Sequence, residues 1–360
     1  MADQAQPERA RSKLATTVML VGLIAIAGVV GVVLSVQQRP LPQSRPLPRG
    51  APSQPPAFSA SPTPSAPGPV SAFGFSVADD PAIHRVVLFG GVDSYDETWL
   101  WDGSRWSRAL PRVSPPGRFQ AAAAYDPDTR MVMLFGGRLA AGQIVNDTWA
   151  WSGTTWRELN NGAKGQPPGE GALMAWDNAK REMVLVASAV HATGGETWVW
   201  SGNHWSRQPN GEPPPTPIAG EMAFDPASNA LLFVSALSPP LGAGVTTWQF
   251  DGRGWHPLPA TPPQATAGLA LDPISGSLLL CSDPTPDAFA QLWRWSGTAW
   301  TSVPQSKITA EQGIEVTDLD RHQFLMLEFA APPAQFKPQP IHVWAWGGRS
   351  WQQPALTGAG

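Results

Sequence analysis

The chain has 360 residues, a net charge of −4, 42% hydrophobic residues and only 14% charged residues, well below the ~25% charged residues of an ordinary soluble domain. The first 50 residues hold six Lys or Arg against two Asp or Glu, which leaves 18 basic and 26 acidic residues in the remainder. An acidic domain without a basic stripe lacks the electrostatic footprint of a nucleic-acid binder, so we expect no nucleic-acid partner.

The first predicted element is a transmembrane helix at residues 14–36. No charged residue lies between Lys13 and Arg39, and the 23-residue run from Leu14 to Val36 is dominated by Val, Leu, Ile, Ala and Gly. A helix of this length spans a hydrocarbon layer of ~30 Å. The competing interpretation is a cleavable signal peptide, whose apolar stretch is only about 7 to 15 residues long and is closely followed by a small-residue cleavage site. The longer run favours an uncleaved, single-pass anchor.

Residues 1–13 are predicted to form a short cytoplasmic N-terminus, and residues 37–69 a disordered Pro-rich linker. The linker contains eleven prolines in 33 residues, a composition typical of a semi-rigid polyproline II spacer. Basic residues flank both ends of the helix equally, so the positive-inside rule gives no bias. The short N-terminus and the stalk-like linker favour an extracytoplasmic position for everything after the helix, at the cell membrane.

Residues 70–355 carry six copies of the figure W-x-W-[small or Asp]-G-x-x-W, spaced by 45 to 51 residues, which accounts for 17 of the 18 tryptophans. The copies are TWLWDGSRW (Thr98–Trp106), TWAWSGTTW (Thr148–Trp156), TWVWSGNHW (Thr197–Trp205), TWQFDGRGW (Thr247–Trp255), LWRWSGTAW (Leu292–Trp300) and VWAWGGRSW (Val343–Trp351). A period near 50 indicates supersecondary units that bury their apolar faces against neighbouring copies.

A second repeated element precedes each tryptophan figure. A run of small residues meets an aspartate and a turn, and an apolar strand ends nine residues after that aspartate; the turn aspartates are Asp80, Asp126, Asp177, Asp225, Asp272 and Asp318. Aspartate favours such a turn because its carboxylate can bond the backbone ahead of it. The constant offset predicts six copies of one β-hairpin.

The two elements together predict an all-β fold, a six-bladed β-propeller of four-stranded antiparallel blades. The hairpin supplies strands A and B, W-x-W supplies strand C, and the last tryptophan lies on strand D after a glycine-containing turn. Small residues suit strand A, where blades converge, and the tryptophan rings are predicted to fill the wider gaps between blades. Because each blade is contiguous in sequence, we expect the ring to close by side-chain packing alone, with the contact between blades 1 and 6 as the weakest seam.

The chain resembles kelch-repeat proteins, the propeller group that includes the central domain of galactose oxidase. The resemblance rests on the doublets Gly90-Gly91 and Gly136-Gly137, on the strand D tryptophans and on Arg118. It spans residues 70–355 and is strongest in blades 1 and 2, and the Ala- and Pro-rich composition resembles that of bacterial proteins. The copper centre of galactose oxidase needs tyrosine, histidine and a cross-linked cysteine, whereas this chain has only Tyr95, Tyr125 and the strand residue Cys281. The oxidase activity is therefore not expected.

The sequence places function on the variable B–C and D–A loops, because such loops on a rigid frame commonly carry binding residues. The candidate ligand-binding residues are Asp93, Tyr95, Asp96, Arg138, Asn146, His191, Asp287, Phe289 and Phe336. No histidine pair has metal-ligand spacing, and no catalytic or cofactor motif is present, so we expect no metal, no cofactor and no identified catalytic residue.

The leading hypothesis is a membrane-tethered binding or scaffold module for a protein or glycan. The alternative is a glycan-processing enzyme using carboxylates near the axis, such as Glu170 and Glu221.

Overall fold

The computed structural model describes residues 68–70, 73–92, 94–162, 165–169, 171–187, 194–208, 220–235, 246–260, 266–282, 291–304, 312–329 and 340–354. These residues form six separate four-stranded antiparallel sheets, each contiguous in sequence. The predicted all-β propeller with six blades is confirmed. Among the described residues no helix has the length and hydropathy needed to cross a bilayer, and the predicted anchor at residues 14–36 lies outside them.

The strands follow the predicted order A, B, C, D in every blade. Blade 1 contains β1 (Ser76–Asp80), β2 (Arg85–Phe89), β3 (Thr98–Trp101) and β4 (Trp106–Ala109). The short strand β5 (Arg118–Phe119) precedes blade 2, which contains β6 (Ala122–Asp126), β7 (Met131–Phe135), β9 (Thr148–Trp151) and β10 (Trp156–Asn160), with β8 (Arg138–Leu139) lying between β7 and β9 in the chain. Strands β5 and β8 pair as a two-stranded sheet that the sequence did not predict.

The remaining four blades repeat this plan. Blade 3 contains β11 (Leu173–Asp177), β12 (Glu182–Ala187), β13 (Glu196–Trp200) and β14 (Trp205–Arg207). Blade 4 contains β15 (Gly220–Asp225), β16 (Ala230–Ser235), β17 (Thr246–Phe250) and β18 (Trp255–Pro257). Blade 5 contains β19 (Thr266–Asp272), β20 (Ser277–Ser282), β21 (Leu292–Trp295) and β22 (Trp300–Val303). Blade 6 contains β23 (Gln312–Asp318), β24 (Gln323–Phe329), β25 (His342–Trp346) and β26 (Trp351–Gln352).

The core of the propeller lies between the blades. Each strand A contacts the strands A of the blades on either side, and β23 contacts β1, so the ring is closed. The buried apolar residues fall into six clusters, and each cluster joins one blade to the next around the ring. Cys281 is one of these residues and is 3% exposed, as expected for a small strand residue.

The turn aspartates terminate strand A in all six blades. Each is at most 5% exposed, and each carboxylate accepts at least one backbone N–H from its own turn. Four residues later every turn has a residue with positive φ, between 52° and 68°. The buried carboxylate thus replaces hydrogen bonds that the turn backbone would otherwise make to water.

The tryptophan rings pack between blades as predicted. None of the 17 motif tryptophans is exposed, and the rings of each copy join the cluster shared with the preceding blade. Within each blade the second ring of strand C lies 5.1 to 5.5 Å from the strand D ring, measured between centroids. The periodicity therefore reports architecture, because the same ring does the same packing in every copy.

A hydrogen bond between neighbouring blades explains the threonine that opens four copies of the figure. Trp156 Nε1 of blade 2 donates to Thr98 Oγ1 of blade 1 at 2.9 Å. The same bond, also at 2.9 Å, recurs between Trp205 and Thr148, between Trp255 and Thr197, and between Trp300 and Thr247. In blades 5 and 6 Leu292 and Val343 take the place of threonine, so the hydroxyl acceptor is missing there.

Closure of the ring by side-chain packing alone is wrong, because backbone contacts also cross the seam between blades 6 and 1. The Ile341 N–H donates to the Pro69 carbonyl at 3.0 Å, and Val70 forms a bridge with Pro340. On the blade 1 side, Ser94 Oγ donates to the Val70 carbonyl at 2.6 Å. Gly68 and Pro69, which the sequence assigns to the linker, therefore belong to a strap, residues 68–70, that lies across the seam.

Candidate functional site

The two faces of the ring carry different connections. The A–B and C–D turns share one face, where a Cβ on Gly153 of a C–D turn would lie 2.7 Å from Ile83 of the neighbouring A–B turn. The B–C loops and D–A connections occupy the opposite face, on which the sequence places ligand binding. The described residues of that face include the B–C loops of blades 1 and 2, except Asp93, and the connection between these blades.

The Gly90-Gly91 doublet joins blade 1 to the connection that enters blade 2. The Arg118 N–H donates to the Tyr95 carbonyl at 2.8 Å, and the Gly91 N–H donates to the Arg118 carbonyl at 3.0 Å. Both glycines have positive φ, 71° and 96°, and a Cβ on Gly90 would clash with the Arg118 carbonyl. Glycine is required at this position because the backbones approach too closely for a side chain.

The second doublet plays the same part between blades 2 and 3. The Gly137 N–H donates to the Gly169 carbonyl at 2.6 Å, and a Cβ on Gly136 would clash with the backbone of Gly169. The loops of blades 1 and 2 are thus tied to the next blade by backbone hydrogen bonds, which makes this face a rigid support.

A buried arginine completes the support. Arg118 is 1% exposed, and its guanidinium group contacts both carboxylate oxygens of Asp147, with Nη2 to Oδ2 at 2.9 Å. Its Nε donates to the Pro116 carbonyl at 3.0 Å, and its Nη1 also donates to the Gly136 carbonyl at 2.9 Å. Trp149 Nε1 donates to the same Asp147 carboxylate at 2.7 Å. A paired arginine with satisfied donors fixes geometry because moving any partner would leave a buried charge unpaired.

Aromatic rings lie together on this support. The ring centroids of Phe73 and Phe119 are 6.1 Å apart, as are those of Tyr95 and Phe119, with interplanar angles of 81° and 62°. All three rings are partly buried, so part of each faces solvent. The backbone of Phe119 pairs with that of Arg138, and the exposed Asp96 follows Tyr95. We name Phe73, Tyr95, Asp96, Phe119 and Arg138 the aromatic loop surface.

The structure brings three of the predicted site residues together. Tyr95, Asp96 and Arg138 belong to the aromatic loop surface. Asn146 lies apart, against Gly162 of the connection between blades 2 and 3. Outside the described residues lie Asp93, His191, Asp287, Phe289 and Phe336.

Sequence reasoning missed Phe73 and Phe119, which link the surface. Each precedes a strand A by three residues, a position at which the repeat predicts an inner strand and not a loop. The order Gly-Arg-Phe after a connection, with the arginine of the kelch resemblance immediately before the ring, is the signal that could have singled out Phe119.

Two glutamates lie on the strands A that flank blade 5, Glu221 in blade 4 and Glu315 in blade 6. Glu315 of β23 is 8% exposed, and its carboxyl group fills the space that a Cβ on Gly268 of β19 would occupy. Glu221 of β15 holds the repeat position of Ser76, whose hydroxyl donates to the Ala121 carbonyl of the next blade at 2.7 Å. The repeat therefore places Glu221 on the side of β15 that faces blade 5, whereas Glu170 lies outside the described residues.

Side chains suited to metal binding remain scattered in the described part of the chain, where no group of three or more His, Cys, Asp or Glu residues could hold an ion. The histidines that contact acids do so singly and near the surface, as in His256 with Asp251 at 3.0 Å and His342 with Glu328 at 3.7 Å.

Comparison with known proteins supports the fold. Neither a family model nor a curated protein matches the sequence. Similar solved structures include that of YjhT, with 13% identity, a TM-score of 0.51 and coverage of 80% of this chain and 99% of that one. The SapL1 lectin in complex with alpha methyl fucoside has 14% identity, a TM-score of 0.53 and coverage of 81% and 98%. The Niastella koreensis GH74 enzyme has 14% identity, a TM-score of 0.50 and coverage of 80% and 46%. At these identities the likeness shows a shared propeller fold.

Proposed function

We propose that the protein is a membrane-tethered glycan-binding module whose aromatic loop surface contacts the ligand. The observation that carries the proposal is the placement of three partly exposed rings together, with Arg138 paired through the backbone to Phe119 and Asp96 following Tyr95, on loops fixed by backbone hydrogen bonds and by the buried Arg118. The proposal also includes the likeness of blades 1 and 2 to kelch repeats, because the residues that carry this likeness, the glycine doublets and Arg118, are the ones that fix the loops.

The chemistry of the surface suits a sugar. The C–H groups of one sugar face pack against aromatic rings, and neighbouring hydroxyls hydrogen-bond to charged side chains. Tyr95, Asp96 and Arg138 supply both kinds of contact around Phe119. Rigid loops favour binding because little conformational entropy is lost when the ligand arrives. The similar SapL1 structure holds a fucoside, so the fold is compatible with a lectin.

A glycan array followed by calorimetry tests this function, with α-methyl fucoside among the probes. We expect Tyr95→Ala to weaken binding of the best array ligand by at least about tenfold, as for an aromatic anchor. The chain's second tyrosine, Tyr125, lies on β6 near the turn face and gives a matched control. Tyr95→Phe should reduce affinity while Tyr125→Phe leaves it unchanged. Absence of any glycan ligand, or equal binding by Tyr95→Ala and the native chain, would refute the proposal.

An enzyme acting on glycans is the second candidate, and Glu221 and Glu315 beside blade 5 are the observation that favours it. Glycoside hydrolysis uses two carboxylic side chains that flank the scissile bond, and Glu221 and Glu315 flank blade 5 from blades 4 and 6. The similar Niastella koreensis structure is a GH74 enzyme. Release of reducing ends from a cell-wall glycan, abolished by Glu221→Gln but not by Tyr125→Phe, would favour the enzyme over the binding module.

The cellular position is the remaining part of the proposal. We expect residues 14–36 to anchor the chain in the cell membrane and the linker to hold the propeller outside the cytoplasm, because a 23-residue apolar run is followed by a Pro-rich segment. Protease added to intact cells should release a stable fragment close to residues 70–355, with an internal cytoplasmic protein left intact as the lysis control. Complete protection of the fragment would reverse the topology.

A further inference from the structure

The seam between blades 6 and 1 lacks a bond that four other interfaces have. Val343 occupies the threonine position of blade 6, and Trp106 Nε1 of blade 1 is buried without a hydrogen-bond partner among the described residues. The seam is instead held by its apolar cluster, by the strap at residues 68–70 and by contacts between strand A of blade 1 and the A–B turn of blade 6.

An aspartate lies in this seam where the other blades have different side chains. Asp79 precedes the turn aspartate of blade 1, and the equivalent residues are Tyr125, Trp176, Phe224, Leu271 and Thr317. Asp79 Oδ2 accepts a hydrogen bond from the Leu319 N–H of blade 6 at 3.0 Å, while Asp79 Oδ1 is buried and has no hydrogen-bond partner in the part of the chain that the structure describes. Burial, the largest cause, and the neighbouring carboxylates Asp318, Asp320 and Asp80 together raise the pKa of Asp79 to about 7, although the hydrogen bond from the Leu319 N–H favours the carboxylate.

The groups around Asp79 do not neutralise its charge. The charged and titratable groups of the seam and its turns are Asp80, Asp318, Asp320, His84, Arg85, Arg321, Arg130 and Tyr125. His84 Nδ1 lies 2.8 Å from Asp320, and Arg321 Nη1 lies 3.0 Å from Asp318. His84 and Arg321 are thus paired with carboxylates other than Asp79, and Arg85 Nη1 donates to the His84 carbonyl at 2.8 Å. Burial also raises the pKa of Asp80 to about 6, with Arg130 opposing the shift.

We propose that the seam between blades 6 and 1 is the opening point of the ring, and that it opens as the pH rises because Asp79 loses its proton against the acidic turn of blade 6. Opening brings water to the carboxylate and separates it from Asp318 and Asp320. The other described interfaces have no carboxylate at this position, so they should not respond in the same way.

The direction follows from proton linkage. In the closed ring Asp79 has a pKa of about 7, whereas a water-exposed aspartate has its ordinary pKa of 3.8. The open state therefore binds fewer protons between these values. The equilibrium constant for closing the ring is largest below about pH 4. It falls by about tenfold per pH unit between about pH 4 and pH 7, and it changes little above pH 7.

Hydrogen exchange at single-amide resolution on the full-length chain tests the proposal at pH 5, 6 and 7. Each rate is expressed as a protection factor, which removes the intrinsic effect of pH. The reporter is the Ile341 amide, bonded to Pro69 across the seam, and the internal reference is the Gly137 amide, bonded to Gly169 between blades 2 and 3. We expect protection of Ile341 relative to Gly137 to fall by about tenfold per pH unit.

Asp79→Asn keeps an acceptor for the Leu319 N–H but cannot ionise, so its relative protection should change with pH much less steeply than that of the native chain. Glu158→Gln removes an exposed acidic group from β10 of blade 2, away from the seam, and should behave as the native chain. If Asp79→Asn does not fold, Asp79→Thr introduces the residue of blade 6 and gives the same comparison. Constant relative protection in the native chain, or the native pH dependence in a folded Asp79 variant, would overturn the proposal.

Discussion

The interface between blades 1 and 2 and the seam between blades 6 and 1 are built from the same repeat but are held by different contacts. Trp156 is 2% exposed and donates to Thr98 across the first interface, whereas Trp106 packs at the seam opposite Val343 and its Nε1 has no partner. The indole position is common to both. Periodic rings therefore set the spacing of the blades, while the residue at the threonine position determines whether the strand D indole is also hydrogen-bonded to the neighbouring blade.

The largest expected effect distinguishes these two rings. Trp156→Ala should lower the free energy of unfolding by ~3 to 5 kcal/mol, because it removes a fully buried ring and leaves a cavity. Trp106→Ala should cost roughly half as much, since its ring is partly exposed and its indole N–H forms no bond that could be lost. Urea unfolding monitored by circular dichroism measures both. Equal losses would remove the proposed difference between the interfaces.

A smaller effect should appear when the missing acceptor is supplied. Val343 holds the strand C position at which Thr98, Thr148 and Thr197 accept a hydrogen bond from an indole N–H. Val343→Thr should supply this acceptor to Trp106, so we expect the free energy of unfolding to rise by about 1 kcal/mol. Val199→Thr is the matched control, because Val199 is 8% exposed and lies elsewhere on strand C. The control should be destabilised by about 1 to 3 kcal/mol, the cost of a buried hydroxyl without a partner. A loss of stability in Val343→Thr similar to that of the control would contradict the equivalence of the two sites.

The sequence predicted the features that each blade encodes locally. The six turn aspartates, the small residues of strand A and the tryptophan figure recur with constant offsets, so strand order, blade number and ring burial could be derived from one chain. The confirmed parts of the fold all have this property. Repetition makes each local signal visible six times.

Contacts between distant residues could not be derived in this way. The strap pairs Pro69 with Ile341, and Asp79 accepts a hydrogen bond from Leu319. Each contact joins the first blade to the last blade in the sequence and therefore occurs only once. The leading threonine was visible in four copies, but its role depends on a tryptophan of the next blade. Among the site residues, Tyr95, Asp96 and Arg138 were found as loop residues, while Phe73 and Phe119 were missed because they lie beside inner strands.

A double-mutant cycle on Trp156→Phe and Thr98→Val tests whether the strand D indoles of blades 2 to 5 stabilise the propeller by hydrogen-bonding to the preceding blade. Each change removes one partner of the 2.9 Å hydrogen bond and keeps an apolar side chain in place. The account predicts a coupling energy of about 0.5 to 1.5 kcal/mol in urea unfolding. Strict additivity of the two single changes would contradict it.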